Sequence, residues 1–176
     1  MKLTWFGGTT IRIHIGGAIL VVDAEGAPDG IDAAELVSGA DVVIERFGAA
    51  LPEVDAARWK PRKVPRLLDE GDAPPAVEAW SAGAGAVLVG AVGEPPLLLL
   101  QKYDVPELAA WAEKAVIVLF GGELRERTEN MRDATTPRLV ALAGTETDVD
   151  ETFEALEGRD HGMGIVALEA GMALEI

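Results

Sequence analysis

Short apolar runs alternate with glycine pairs over the first 23 residues, and this pattern strongly restricts the local fold. Within the segment 11–15, three isoleucines alternate with Arg12 and His14, which is the period-two pattern of a half-buried strand. Glycine pairs at 7–8 and 16–17 supply turns on either side. We therefore predict an antiparallel meander of three strands, at 2–6, 11–15 and 18–22.

Further apolar runs and amphipathic segments follow along the whole chain, separated by residues that favour turns. The predicted strands are 40–44 (buried), 64–68, 76–80, 86–92, 97–101, 115–120 (buried) and 139–143. A closing hairpin is predicted from strands 164–168 and 172–176 across the turn Glu169–Gly171. The predicted helices are 31–38, 105–114, 128–134 and 148–156, the last with Asp148 as its N-cap.

Each half of the chain runs from antiparallel strands through a helix to a buried strand. A chain of 176 residues, 49% of them hydrophobic, is long enough for a full core. We therefore expect one domain over 1–176. The expected class is α+β, a four-layer αββα sandwich in which two mixed sheets pack face to face with helices outside.

Charge and composition exclude several functional classes. The net charge of −15 repels phosphate backbones and anionic lipid, so no nucleic-acid or membrane partner is expected. The absence of cysteine excludes disulfides and thiolate chemistry. No apolar run approaches the roughly 20 residues of a membrane helix, and no signal peptide is apparent. A cytoplasmic location is the simplest expectation, with a homodimer or another protein as the candidate partner.

The two histidines, His14 and His161, lie far apart in sequence, so a conventional histidine-rich zinc site is not expected. A serine-hydrolase interpretation, with Ser81, Asp104 and His161 in α/β-hydrolase order, is weak. The nucleophile elbow must turn directly into a helix, whereas the segment after Gly83 and Gly85 is predicted to enter a strand.

Two other features have alternative interpretations. Trp59, Trp80 and Trp111 are either core residues or interface anchors. The basic segment 60–66 pairs with acids of the same chain or recognises an anionic ligand or an acidic partner. The acidic run Glu146–Glu151 fits a helix start, where carboxylates favour the helix dipole, better than a calcium loop.

Several strand ends carry a family resemblance. The segments concerned are 1–7, 19–23, 40–44, 97–104, 116–122, 137–144 and the closing stretch from Phe153 to Met172. In this order they resemble the metallo-β-lactamase fold superfamily, and most closely its small hydrolases of the ascorbate-6-phosphate lactonase type. Where the family has its His-x-His-x-Asp-His signature, this chain has Glu45-Arg46-Phe47-Gly48-Ala49-Ala50. The resemblance therefore implies a retained scaffold from which the metal-binding histidines are lost.

The resemblance also places Asp23 and Asp104 at strand ends that face the family's metal site. With Glu25 and Glu45 nearby, four carboxylates could bind a hard cation such as Mg²⁺ or Ca²⁺, and Asp23, Glu45 and Asp104 are the candidate catalytic residues. The alternative is that Asp23 and Asp104 cap loops through local hydrogen bonds. We expect a metal-free, non-catalytic binding or assembly module without a cofactor. The alternative is a metal-dependent hydrolase with a carboxylate-based site.

Overall fold

Eleven strands and three α-helices occupy the residues that the computed structural model describes, which are 1–63, 77–102, 104–157 and 162–176. The strands are β1 (Lys2–Gly7), β2 (Thr10–Ile15), β3 (Ala18–Val22), β4 (Val42–Ile44), β5 (Val77–Ser81), β6 (Ala86–Ala91), β7 (Leu97–Leu100), β8 (Val116–Phe120), β9 (Leu139–Ala143), β10 (Gly164–Ala167) and β11 (Ala173–Glu175). The helices are α1 (Ala33–Val37), α2 (Leu124–Ala134) and α3 (Glu146–Leu156), with 3₁₀ turns at Ala24–Gly26 and Ala110–Lys114.

The predicted meander forms the centre of the first sheet, whose strand order is β11-β1-β2-β3-β4. Its pairs are antiparallel except for β3 with β4, which run parallel. Gly16 and Gly17 have positive φ values of 58° and 80° in the tight β2–β3 turn, a conformation that glycine adopts without the steric cost of a Cβ atom. The glycine pairs therefore position the turns as the sequence predicted.

The second sheet has the order β10-β9-β8-β7-β6-β5. Strands β7 to β10 are parallel, and β5 and β6 complete the sheet in antiparallel pairs. Strands β7 and β8 are apolar at every position and buried on both faces, as is typical of parallel strands covered on both sides. Each fully buried leucine or isoleucine contributes about 1.5–3 kcal/mol of transfer free energy.

The two sheets pack face to face, with helices on the outer faces. The core between the sheets takes alternate residues of facing strands, such as Ile13 from β2 and Leu99 from β7. Leu36 of α1 packs with Val21 on the outside of the first sheet. Helices α2 and α3 cover the outside of the second sheet. The predicted α+β class and the arrangement of two mixed sheets with helices outside are confirmed.

The predicted closing hairpin is wrong. Strand β10 pairs in parallel with β9 in the second sheet, whereas β11 pairs antiparallel with β1 in the first. The segment 164–176 therefore crosses from one sheet to the other. The apolar runs were located correctly, but each strand is stabilised by an edge of a different sheet.

Several local predictions also differ from the structure. The predicted helix 105–114 is wrong, because this segment contains only the 3₁₀ turn Ala110–Lys114. The predicted buried strand 40–44 is the three-residue edge strand β4, in which Val43 is 37% exposed. Thr145 caps α3, and Asp148 lies in its first turn. The predicted strand 64–68 falls outside the described residues.

The remaining helix predictions were correct in location and inexact in their bounds. Helix α1 is shorter than the predicted 31–38, and α2 begins four residues before the predicted 128. Across the described ranges, no helix combines the length and the apolar composition needed to cross a membrane.

Candidate functional site

The loops that follow β3, β4, β7 and β8 lie at one edge of the sandwich. Phe47, three residues beyond β4, contacts Phe120 at the end of β8, with ring centroids 5.8 Å apart. Because β3 is parallel to β4 and β7 is parallel to β8, the carboxyl ends of all four strands point the same way. We call these loops the strand-end edge. It comprises residues 23–26, 45–48, 101–102, 104 and 121–123.

Asp23 holds three segments of this edge together. One carboxylate oxygen, Oδ1, accepts a hydrogen bond from the backbone N–H of Phe47 at 3.2 Å, and Oδ2 accepts one from the hydroxyl of Thr9. Its backbone carbonyl accepts from the hydroxyl of Thr10 at 2.9 Å, and its N–H donates to the carbonyl of Ile44 at 2.8 Å. Both carboxylate oxygens are thus used in loop hydrogen bonds, which agrees with the local capping interpretation.

The conformation around Asp23 depends on a glycine three residues later. Asp23 has a left-handed φ of 57°, which aspartate tolerates better than most residues. A Cβ atom added at Gly26 would lie 2.3 Å from Asp23 Oδ2. Only glycine therefore leaves room for the carboxylate in this position.

An aromatic pair fills the space between the sheets at the strand-end edge. Phe120 is buried and Phe47 is half-buried, and both pack against the inter-sheet core. Their rings meet edge to face, with an interplanar angle of 78°, which is a favourable arrangement of aromatic quadrupoles. Next to Phe47, Gly48 faces Val87 of β6 closely enough that a Cβ atom would touch it at 3.8 Å.

A fixed cation lies beside the candidate carboxylates. Arg46 Nε donates to Glu25 Oε2 at 2.5 Å, and the Glu25 N–H donates to the carbonyl of Glu45 at 2.9 Å. The hydrogen bond from the guanidinium to Glu25, and then the charge of that carboxylate, raise the pKa of Arg46. Both side chains are well exposed, so solvent screens the pair. Glu25 therefore has an arginine as its counterion.

The other candidate carboxylates, Glu45 and Asp104, are exposed at the same edge. Across residues 1–63, 77–102, 104–157 and 162–176, no three histidine, aspartate or glutamate side chains are grouped so that they could hold a metal ion. Asp23 and Glu45 follow the parallel strands β3 and β4, and Asp104 lies four residues beyond β7, without forming such a group. A catalytic role for these residues stays a prediction.

Arg127 of α2 is a residue of this edge that the sequence analysis missed. Its guanidinium is buried and donates to the carbonyls of Phe120 at 2.5 Å, Leu100 at 2.9 Å and Lys102 at 3.1 Å. It therefore satisfies the carbonyls at the ends of β7 and β8. Burial lowers the pKa of Arg127, and the nearby charge of Glu123 opposes that shift.

The spacing of Arg127 could have indicated its position. With Leu124, Thr128 and Met131 it forms the buried stripe of α2, at the i, i+3, i+4 and i+7 positions that face a core. An arginine in such a stripe needs hydrogen-bond partners.

A groove of about 610 Å³ lies next to the strand-end edge. Phe47 and Gly48 line one side, and the loop Ser81–Gly85 lines another. Glu53, Asp55 and Glu107 contribute carboxylates to its wall. The groove is open to solvent and combines acidic and apolar surface.

The serine-hydrolase interpretation gains no support from the geometry around Ser81. Ser81 ends β5, and the chain passes through Gly83 and Gly85 directly into β6, so the strand predicted there is confirmed and no helix follows the serine. The Ser81 hydroxyl donates to the carbonyl of Gly83 at 3.5 Å. His161 falls outside the described residues.

The three tryptophans form one cluster on the outer face of the second sheet. The ring of Trp59 meets those of Trp80 and Trp111 edge to face, at centroid distances of 5.8 Å and 5.2 Å. Trp111 is buried, and its Nε1 donates to the carbonyl of Ala56 at 2.8 Å. This packing agrees with the core interpretation.

The basic segment is partly paired within the chain. Arg62 Nε lies 3.3 Å from Glu78 Oε2, and just before the segment Arg58 Nε lies 3.3 Å from Asp55 Oδ2. These contacts agree with the intramolecular interpretation for Arg62.

Comparisons with known proteins returned few matches. No protein-family profile matches the chain, and no curated protein sequence matches it. Among solved structures, the chain is similar to a Thermotoga maritima protein proposed to be a Zn-dependent hydrolase of the metallo-β-lactamase superfamily. The TM-score is 0.49 with 14% sequence identity, and the alignment covers 95% of this chain and 98% of that one.

Proposed function

We propose that this chain is a metal-free binding or assembly module built on a metallo-β-lactamase-like sandwich. The observation that carries the proposal is the aromatic pair at the strand-end edge. Phe47 and Phe120 fill the space between the sheets with apolar surface, and an apolar contact excludes the water that metal-assisted hydrolysis must activate.

The hydrogen bonds of Asp23 support the same proposal. A carboxylate that ligates a metal must offer a free lone pair to the ion. Both oxygens of Asp23 accept hydrogen bonds, from Thr9 and from the backbone of Phe47. Each oxygen has two lone pairs, so these bonds do not by themselves exclude an ion. They do give Asp23 a structural role in holding the loop after β4 that needs no metal.

The positive charge of Arg46 also disfavours a divalent cation nearby. It is held by Glu25, one of the four carboxylates at the edge, and like charges repel most strongly at short range. The zinc pair of the family requires several imidazole and carboxylate ligands around each ion. The described residues of this edge provide carboxylates but no histidine, and no three of these carboxylates are grouped for an ion, which does not fit that pair.

The alternative function is a metal-dependent hydrolase with a carboxylate-based site. The parallel pairing of β3 with β4 supports it, because Asp23 and Glu45 follow the ends of these neighbouring strands. Hard cations such as Mg²⁺ and Ca²⁺ prefer carboxylate and carbonyl oxygens. When bound, such an ion would polarise a substrate or lower the pKa of a water molecule.

Chelation followed by thermal unfolding separates the two functions. The protein is purified without chelator, its content of Mg, Ca, Mn and Zn is measured by mass spectrometry, and it is then melted before and after dialysis against EDTA. The proposal predicts much less than one metal ion per chain and an unchanged melting temperature. A stoichiometric metal would contradict it if EDTA lowered the melting temperature and addition of the ion restored it.

The variant Asp104→Asn makes this test specific, with Asp29→Asn as its control. Asp104 is exposed at the edge, and Asp29 is exposed in the loop before α1. The hydrolase alternative predicts that only Asp104→Asn reduces metal content. The proposal predicts that neither variant changes it.

A further inference from the structure

An apolar groove lies between helix α3 and strand β10. It is on the outer face of the second sheet, whereas Phe47 and Phe120 lie on the inner face, between the sheets. It has a volume of about 500 Å³ and is lined by Phe153, Glu154, Leu156, Glu157, Met163 and Ile165. Phe153 is 39% exposed, although the aromatic residues of a helix in a small domain are usually covered. We call this surface the α3–β10 groove.

Within the described residues, the backbone of β10 has no neighbouring strand on the side next to this groove. Among the described strands, β10 is the last of its sheet and pairs only with β9. The N–H groups of Gly164 and Leu168 donate to Arg138 and Leu142 on the β9 side. Because alternate residues of a strand face opposite sides, the N–H and C=O groups of Ile165 and Ala167 point away from β9. A strand edge of this kind can accept an added strand.

All the charged side chains of α3, which forms one wall of the groove, are acidic. The helix contains five acidic residues and no lysine, arginine or histidine. Glu154 and the C-cap residue Glu157 lie at the carboxyl end, where the helix dipole already concentrates negative charge. This arrangement destabilises the isolated helix, and a cation bound beside Phe153 would relieve it. Arg159 follows closely in sequence but lies outside the described residues.

The same charges select between kinds of partner. A second copy would bring the same acidic helix and a net charge of −15, so two copies repel each other at this surface. A basic segment is complementary. The open edge of β10 favours an extended backbone, and the apolar floor of the groove favours alternate apolar side chains.

We propose that the α3–β10 groove binds an extended segment of a partner protein that carries both basic and apolar side chains on the face turned toward α3. The segment pairs with the outward N–H and C=O groups of Ile165 and Ala167 as an added strand. Because every second side chain of a strand points to the same face, the side chains toward α3 are both apolar and basic. The apolar ones lie on Phe153 and Ile165, and the basic ones contact Glu154 and Glu157. This inference rests on the proposed function, because it specifies the partner chemistry of the binding module.

The test measures fluorescence anisotropy with a fluorescein-labelled peptide that has threonine at every second position and valine and arginine in turn at the positions between, titrated with the full chain in EDTA. The expected result is saturable binding that is absent for a matched peptide with glutamate in place of arginine. Failure of the arginine peptide to bind would overturn the inference. The metal-free function would not be affected by that result, because the chelation experiment tests it separately. Failure of the inference and failure of the proposed function are therefore distinguishable.

Two pairs of variants locate the binding. Ala167→Pro removes an outward N–H without touching the β9 hydrogen bonds, and it should weaken binding by about tenfold or more, whereas Ala167→Val should not. The double variant Glu154→Gln/Glu157→Gln should weaken binding by about tenfold. The control Asp29→Asn/Glu35→Gln makes the same charge change beside α1 and should leave binding unchanged.

Folding is checked through the melting temperature of each variant. Neutralising Glu154 and Glu157 should leave α3 as stable or more stable, because it removes charge that opposes the dipole, so weaker binding by that variant cannot be attributed to unfolding. Equal binding by the groove variants and the controls would overturn the inference. Self-association that depends on Phe153, without peptide binding, would also overturn it in favour of a second copy.

Discussion

Replacement of Arg127 by methionine tests whether the strand-end edge is held together by the protein's own side chains. The change keeps an unbranched apolar stem and removes the donors to the carbonyls of Phe120, Leu100 and Lys102. The first two carbonyls are buried with Arg127. Each one that is left without a donor lowers the free energy of unfolding by about 1–3 kcal/mol. The third is only partly buried and can be hydrated.

Burial disfavours the charged form of Arg127 and lowers its pKa. Removal of this buried charge therefore offsets part of the lost stability. We therefore expect Arg127→Met to reduce the free energy of unfolding by about 3 kcal/mol. Arg127→Lys retains the charge but not the forked geometry, and should cost about half as much. Urea unfolding followed by the fluorescence of the four tryptophans measures both changes.

The matched control is Arg125→Met on the same helix. Arg125 is 60% exposed, and its Nε lies 3.9 Å from Glu129 Oε1, so its loss should cost less than about 0.5 kcal/mol. If Arg127→Met and Arg125→Met reduced stability equally, the role assigned to Arg127 would be refuted.

Three further changes test the contacts around this edge and the cap of α3. Asp23→Ala should cost about 2 kcal/mol, because the donors of Thr9 and Phe47 lose their acceptor, and a change below 0.5 kcal/mol in urea unfolding would argue against that role. Phe47→Ala should cost about 2 kcal/mol in the same assay through lost aromatic packing, and no loss would mean that the ring does not fill the edge. Thr145→Ala should cost about 1 kcal/mol by removing the α3 cap. The control Thr147→Ala, an exposed change within the helix, should cost nothing. Equal effects of the two changes would exclude the capping role of Thr145.

Much of the sandwich was predictable, because its strands are local patterns. The alternation of Ile11, Ile13 and Ile15 and the glycine turns indicated the meander correctly. The all-apolar run 115–120 correctly indicated a buried strand. The pairing of strands could not be predicted in this way, because an apolar run such as 164–167 has no local feature that indicates which sheet it will join.

The contacts of the candidate site were harder to predict, because they form between residues that are distant in sequence. Asp23 was correctly predicted to be a strand-end residue. Its hydrogen bonds agree with the alternative interpretation, in which it caps a loop. Nothing local distinguishes Phe47 as the residue that meets Phe120 across the sheets. Arg127 was missed because the predicted helix began at 128, four residues too late, so that Arg127 fell just outside it, where a charged residue is ordinarily exposed.

The measurement that tests the central claim most directly is anomalous diffraction from crystals grown with Mn²⁺ or Zn²⁺ in excess. The account predicts that Asp23 retains its bonds to Thr9 and Phe47, that the ring of Phe47 lies against Phe120, and that no anomalous peak occurs at the strand-end edge. A peak within about 2.6 Å of oxygens from Asp23, Glu45 or Asp104, with Phe47 displaced, would contradict the account and establish a carboxylate metal site.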